Sequence, residues 1–283
     1  MNPWPMDAAR NYAPNVSWLF PELPFAERLA SVSALGFRAI EFGFPSQADI
    51  EALAAAQRHD GLTIVLFNQD VPVWDGANRG YLVDPARRHE FDRQLDRALD
   101  IAERLHVAKI MLPAGVRLPA LARQAQVDCL LANLALAAPR AASAGVLLTL
   151  EMLNPADNPG YFLDSTSETL DLVKQVNHPN IRFQFDSYHV QRMEGDPVER
   201  LAGIGPWLGH VQFADEPGRH EPGTGKIDFN RLTRWLADEG YHDWIGLEYV
   251  PQQPGAAALA WCLPATPASD PTNIQANATR RQE

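Results

Sequence analysis

Glu151, Asp186, Gln212 and Glu248 each sit inside or just after a short apolar run, in LLTLEML, IRFQFD, GHVQFAD and IGLEYV. An ionised carboxylate in such a run is expensive to bury alone, and three close together would force some to hold a proton. A divalent cation removes the conflict. Three carboxylates and one amide oxygen make a hard, all-oxygen donor set, which suits Mg2+ or Mn2+ better than Zn2+. Taken singly, an acid at such a place more often caps a helix or pairs with a cation, and Asp186, followed by SYH, fits an N-cap. Four in succession are harder to explain that way, so the set is read as ligands to one metal.

Other polar groups belong near these four. His189 follows Asp186 by three residues, and Arg219 lies in the loop EPGRHEPGTG. Gly218, Gly223 and Gly225 with Pro217 and Pro222 suit a tightly turning backbone. Arg219 can grip a carboxylate with a two-pronged fork that lysine lacks. His220 and Glu221 beside it are further substrate-facing candidates. His210, two residues before Gln212, shares its face and reads as a hydrogen-bonded core histidine. Earlier in the chain, Glu41, Asn68 and Gln69 can line the same mouth, with Phe44, Phe67 and Trp74 walling it from water.

The elements that must position these residues repeat a single rhythm: a short apolar strand, then a longer amphipathic helix. Strand candidates are Asn15–Phe20, Ala39–Phe44, Thr63–Asn68, Lys109–Gly115, Leu147–Leu153, Ile181–Asp186, Gly209–Asp215 and Ile245–Val250. Most are continuous apolar runs, as expected of strands covered by helices. Segments such as PFAERLASVSALG and EFDRQLDRALDIAERLH carry apolar residues three and four apart. Gly36, Gly61, Gly145 and Gly240 fall where helices should end. Eight such units predict an α/β fold, a (β/α)8 TIM barrel spanning 13–263, whose polar strand ends face the active-site mouth. An open doubly wound sheet would call for a glycine-rich phosphate loop, and neither GxGxxG nor GxxxxGK[ST] occurs. Residues 264–283, polar and rich in Pro, Ala and Thr, read as a disordered tail.

Composition narrows the partners. The 283 residues are 46% hydrophobic and 21% charged, with a formal net charge of -11, which repels a phosphate backbone. Nucleic acid is therefore not expected, nor is a membrane, since no stretch approaches about 20 uninterrupted apolar residues. Cys129 and Cys262 are far apart and form no CxxC, so a reducing, cytoplasmic setting is expected. A small molecule is the expected partner, and assembly into a homo-oligomer is left open.

PFAERLASVSALGFRAIEFGFP, VLFN, LEMLN with PGYFL, FDSYHVQRMEGD, GHVQFADEPGRHEPGTG and GLEYVP together resemble the hydroxypyruvate isomerase family of the xylose isomerase-like barrels. The resemblance runs from about Asn15 to Pro251. Members interconvert hydroxypyruvate and tartronate semialdehyde, and a closely similar branch isomerises 2-oxo-tetronates. The resemblance implies metal ligation by Glu151, Asp186, Gln212 and Glu248, with Glu151 and Glu248 as the catalytic proton donors and acceptors. His189 and Arg219 match a histidine and an arginine that handle substrate hydroxyls in related ketose 3-epimerases. Gln212 stands where those epimerases usually have histidine. Two departures alter the rim: Val250 stands where members commonly carry lysine, and the loop after AIEFGFP is short.

The chemistry expected is a proton moved between adjacent carbons through an enediolate. Charge develops on two neighbouring oxygens, and a cation held by both is its natural stabiliser. Arg219 would hold the substrate carboxylate and His189 a hydroxyl. Rival readings are a ketose 3-epimerase, a barrel endonuclease and a non-catalytic binding barrel.

Overall fold

The computed structural model describes residues 12–71 and 79–263. Eight parallel strands form one sheet: β1 (Tyr12–Pro14), β2 (Ala39–Phe42), β3 (Thr63–Asn68), β4 (Lys109–Met111), β5 (Leu147–Glu151), β6 (Ile181–Asp186), β7 (Leu208–Phe213) and β8 (Ile245–Leu247). Each pairs with the next from β2 to β8, and β1 lies beside β8 with Tyr12 opposite Ile245. The remaining seam, β1 to β2, is closed by the Val16 amide donating to the Glu41 carbonyl at 2.9 Å. The result is the expected (β/α)8 barrel.

Helices α1 (Phe25–Ala34), α2 (Gln47–Asp60), α3 (Arg88–Leu105), α4 (Arg123–Ser143), α5 (Thr166–Val176), α6 (Ser187–Glu194), α7 (Pro197–Leu201) and α8 (Phe229–Asp238) surround the strands. Their spacing explains why they form. In α3, Phe91, Leu95, Ala98, Ile101 and Leu105 recur on one face and are buried. Burying each large member contributes roughly 1.5–3 kcal/mol, far more than helix propensity does. Gly61, which follows α2, takes the left-handed conformation at φ 66°, and Gly36, Gly145 and Gly240 do so after their helices.

The first strand differs from the sequence expectation. Asn15–Phe20 is not a strand; the ladder is Tyr12–Pro14, and the run beyond it turns. Asn15 Oδ1 accepts the Ser17 amide at 3.0 Å, and the Asn15 carbonyl accepts the amides of Trp18 and Leu19. Val16, Leu19 and Phe20 are apolar because this turn is packed over the barrel, so their hydrophobicity mimics a strand. The candidates ending at Phe44, Gly115, Leu153, Asp215 and Val250 likewise outrun their ladders, since the buried rim is apolar too: Leu112, Ala114, Leu153 and Tyr249 are all enclosed. Trp74 and the expected tail 264–283 lie outside the described residues. Among the described residues no helix is long and apolar enough to cross a membrane.

Candidate active site

A cavity of about 450 Å3 opens at the C-terminal ends of the strands, where a parallel barrel collects its polar side chains. Glu151, His189, Arg219 and Glu248 all line it, with Trp18, Phe44 and Leu153 as apolar wall. Asp186 lies directly behind them, fully enclosed.

Each carboxylate is held differently. Glu151, the last residue of β5, accepts the Gln184 amide at 3.0 Å through Oε2, while its Oε1 is buried without a hydrogen-bond partner. Asp186 closes β6 and caps α6: its Oδ1 accepts the Tyr188 amide at 2.8 Å, so the N-cap reading holds alongside the site reading. Its Oδ2 accepts from Arg219 Nη2 at 3.1 Å and lies 3.6 Å from His189 Nε2. Glu248, just past β8, accepts from the same Arg219 Nη2, and through Oε2 from Gln212 at 2.8 Å and Asn15 at 3.0 Å.

Burial and crowding push these acids toward their neutral forms. Burial is the largest cause for Glu151, followed by the charges of Asp186 and Glu248, and together they hold its carboxyl well above the usual range. Asp186 and Glu248 are also raised, by burial first, with Arg219 opposing the rise. Burial alone would pull Arg219 down, but Glu248, Asp186 and Glu151 outweigh it and keep the guanidinium charged.

His189 carries a fixed tautomer. Its Nδ1 accepts the Asn154 backbone amide at 3.1 Å and faces Asn154 Nδ2 at 2.8 Å. The Asn154 amide is oriented by Asp157, which donates its backbone N–H to Asn154 Oδ1 and accepts from Asn154 Nδ2 through Oδ2. With Nδ1 receiving, the ring hydrogen belongs on Nε2, which has no hydrogen-bond partner and lies 3.6 Å from Asp186 Oδ2 and 3.9 Å from Glu151 Oε1. Burial, then the charges of Arg219 and Arg192, hold the ring well below its usual pKa, so it is neutral and donating.

A metal is accommodated by this arrangement. Glu151, Asp186 and His189 bring one ligand atom each within 4.8 Å of one another. The orphaned Glu151 Oε1 and the crowded, raised carboxyls fit a cation, which would give the one a partner and offset the mutual repulsion of the others. The hydrogen on His189 Nε2 makes that ring a hydrogen-bond donor here, so the carboxylates are the better ligands.

The other sequence candidates fall in distinct places. Gln212 projects from β7 between two acids: Nε2 donates to Glu41 at 2.7 Å and to Glu248 at 2.8 Å, and its Oε1 accepts from Gln184 at 2.8 Å. That oxygen keeps one further lone pair. Arg219 adopts φ 57° and lies over the Trp18 ring at 4.6 Å. Its loop is drawn in by Asp215, whose carboxylate accepts the amides of Glu216, Gly223, Gly225 and Ile227. A Cβ on Gly225 would meet the Glu216 carbonyl oxygen at 2.1 Å, so only glycine fits. His220 is outside the cavity lining; its Nδ1 sits 2.7 Å from the Val250 carbonyl and ties the loop to the β8 rim. Glu221 likewise braces that rim, accepting the Gln252 amide. Asn68, Gln69 and Phe44 line the cavity, whereas Phe67 stacks on Phe42.

Glu41 is not at the mouth. It is fully buried inside the barrel beneath Gln212 and Glu248, accepting from Asn15 at 3.1 Å and facing His210 Nε2 at 2.8 Å. Behind His210 stands Lys109, 3.5 Å from Nδ1 and paired with Asp243. His210 is thus the hydrogen-bonded core histidine the sequence suggested. Gly246 makes room for this network, since a Cβ there would sit 2.2 Å from Glu41 Oε2. Burial raises Glu41 to about 7 against the opposing hydrogen bonds of Gln212 and Asn15. Asn15, Gln184, Asn154 and Asp215 had not been singled out by sequence.

Comparison with known proteins agrees with this architecture. The family model for xylose isomerase-like TIM barrels matches residues 29–265. A 2-oxo-tetronate isomerase of Cupriavidus necator is 37% identical, over 89% of this chain and 97% of its own. A hydroxypyruvate isomerase of Escherichia coli K12 is 35% identical, over 89% of this chain and 98% of its own. Among solved structures, one described as an AP endonuclease, family 2, from Brucella melitensis superposes with a TM-score of 0.85 at 35% identity, covering 89% of this chain and 97% of that one. A D-psicose 3-epimerase from Clostridium cellulolyticum shares the fold with a TM-score of 0.72 at 22% identity, covering 89% of each chain.

Proposed function

The chain belongs to the xylose isomerase-like TIM barrels, within them to the hydroxypyruvate isomerase group, and on that premise we propose that it interconverts hydroxypyruvate and tartronate semialdehyde with the help of one divalent metal. The observation that carries this reading is Glu151: a buried carboxyl with one unpartnered oxygen on the cavity wall and a proton affinity well above the ordinary. Such a group suits taking a carbon-bound proton and giving it back.

Glu151, Asp186 and Glu248, with the remaining lone pair of Gln212, would hold the cation, and an oxygen-rich set favours Mg2+ or Mn2+. When bound, it supplies positive charge to the two substrate oxygens that become electron-rich as the proton leaves. The chain's own residues do the rest. Glu151 and Glu248 come from β5 and just past β8, so they can flank a flat enediolate, one removing the proton and one returning it at the next carbon. His189 Nε2 donates to a substrate oxygen. Arg219 keeps Asp186 and Glu248 in place, and Trp18 under its guanidinium keeps water off that side.

The four-carbon 2-oxo-tetronate is the second reading, favoured by the 37% identity to an enzyme of that name. Against a DNA substrate stand the net charge of -11 and a cavity with a single lining histidine among the described residues. Turnover of hydroxypyruvate and 2-oxo-tetronate in D2O, with and without EDTA, tests the proposal. Deuterium should enter at the carbon that changes from ketone to alcohol, EDTA should stop it, and Glu151→Gln should lower kcat by about 10^3-fold or more. EDTA-insensitive turnover, or full activity in the variant, would sink the reading. Deuterium confined to one carbon of a ketose, with no aldehyde formed, would mean epimerisation instead.

A further inference from the structure

One step deeper in the barrel than the acids, two amides join them. Thr149 stands two residues before Glu151 on β5, and Gln184 two before Asp186 on β6, so each shares the inward face of its strand with the acid above it. Both are buried, and Gln184 lies opposite Glu151 in the ladder.

The hydrogen bonds of this layer fix the direction of each amide. Gln212 gives both hydrogens of its NH2 to acids, to Glu41 Oε1 at 2.7 Å and to Glu248 Oε2 at 2.8 Å. Its oxygen therefore faces the other way, where only a donor suits it. Gln184 is that donor: its Nε2 gives one hydrogen to Gln212 Oε1 at 2.8 Å and the other to Glu151 Oε2 at 3.0 Å. Gln184 Oε1 is left to accept, and the Thr149 hydroxyl donates to it at 2.8 Å. Turned end for end, Gln184 would set an oxygen against two acceptors. Only one arrangement satisfies every atom.

The result is a directed bridge from Glu151 to Glu248. In each glutamate Oε2 is tied to an inner amide, and Oε1 is the oxygen the bridge leaves open, unpartnered in Glu151 and held by Arg219 in Glu248. Among the described residues, the Gln184 amide is the one hydrogen-bond donor that Glu151 has. A carboxyl tethered once owes its orientation to that tether.

We propose that Gln184, braced by Thr149, is a positioning residue for the proton transfer: it aims Glu151 Oε1 at the reacting carbon and sets its place relative to Glu248. This rests on the reading of Glu151 and Glu248 as the acid/base pair and as ligands of the cation. Donors standing behind a ligating carboxylate govern metal affinity or activity by about 10- to 100-fold.

The experiment measures kcat and KM for hydroxypyruvate and, apart from turnover, Mn2+ affinity by isothermal titration calorimetry. Gln184→Met keeps the length of the side chain and removes both hydrogens. It should lower kcat about 10- to 100-fold with KM within a few-fold, and weaken Mn2+ binding about 10-fold. Thr149→Val should lose in the same direction by about 3- to 10-fold, whereas Thr149→Ser, which keeps the hydroxyl, should stay within about 2-fold of the parent. A packing role would reverse that order, because Thr149→Ser deletes a buried methyl and Thr149→Val does not. Circular dichroism confirms that each variant folds. Unchanged kcat and Mn2+ affinity in Gln184→Met, a loss confined to KM, or Thr149→Val outperforming Thr149→Ser overturns the bridge while leaving the isomerase reading intact. A parent inactive on both hydroxypyruvate and 2-oxo-tetronate overturns that reading, and the Mn2+ titration still decides whether Gln184 braces Glu151.

Discussion

Glu41 offers a test of the buried network that works through stability rather than turnover. Its carboxyl lies fully buried with a pKa raised from 4.5 to about 7. A group whose folded pKa is raised contributes stability that is complete below the unfolded value and is lost as pH rises through the folded one. In divalent-free protein, the Glu41 contribution should therefore disappear between about pH 4.5 and pH 7. At about 1.4 kcal/mol per pH unit, the interval from 4.5 to about 7 is worth about 3 kcal/mol. Glu151, Asp186 and Glu248 are raised as well and add a fall of the same sign, so the parent slope alone does not isolate Glu41. The difference from Glu41→Gln does, because an amide does not titrate. The variant also carries a pH-independent loss, since its NH2 can face His210 Nε2, which donates to Glu41 in the parent when Lys109 occupies Nδ1. Urea unfolding in EDTA at half-unit steps from pH 4.5 to pH 7.5 gives both curves. The parent should lose about 3 kcal/mol more than the variant across that range. Parallel curves, or a parent that gains stability with pH relative to the variant, would refute the argument that burial outweighs the donors around Glu41.

Two further outcomes follow from neighbouring contacts. Gly246→Ala places a Cβ against the Glu41 carboxylate and should cost about 1–3 kcal/mol in urea unfolding, by forcing that side chain off Gln212 and His210; a loss under about 0.5 kcal/mol would show that the space is not tight. Asn154→Asp replaces the side-chain donor facing His189 Nδ1 with a carboxylate acceptor, so against the residue-154 backbone amide, which stays, the hydrogen of the neutral ring should move from Nε2 to Nδ1 and the ring's pKa should rise. With Nε2 no longer donating, kcat should fall about 10-fold at neutral pH, whereas an unchanged kcat would remove His189 Nε2 as a donor to substrate.

The eight-unit rhythm, the left-handed glycines after the helices and the acids at strand ends were all legible in the chain. They are local properties. A strand covered by helices must be apolar throughout, and its last polar residue in a parallel barrel can only face the mouth, so Glu151, Asp186 and Glu248 announce themselves one strand at a time. What only the tertiary structure decided is which donor meets which acceptor. Asn15 reaches Glu248 across 233 positions, through a barrel seam that no local pattern records, and it was hidden in a run whose hydrophobicity imitated a strand. Glu41 looked like a mouth residue because period alone gives its face and not its depth; Gly246 on β8 is what lets it sink inside. Arg219 reads in sequence as the grip for a substrate carboxylate, and closure of the barrel brings its Nη2 onto Asp186 and Glu248. Gln69 lines the cavity, as its place after a strand suggested, but the burial of its unpartnered amide is a property of the closed barrel that strand and helix periodicity do not contain.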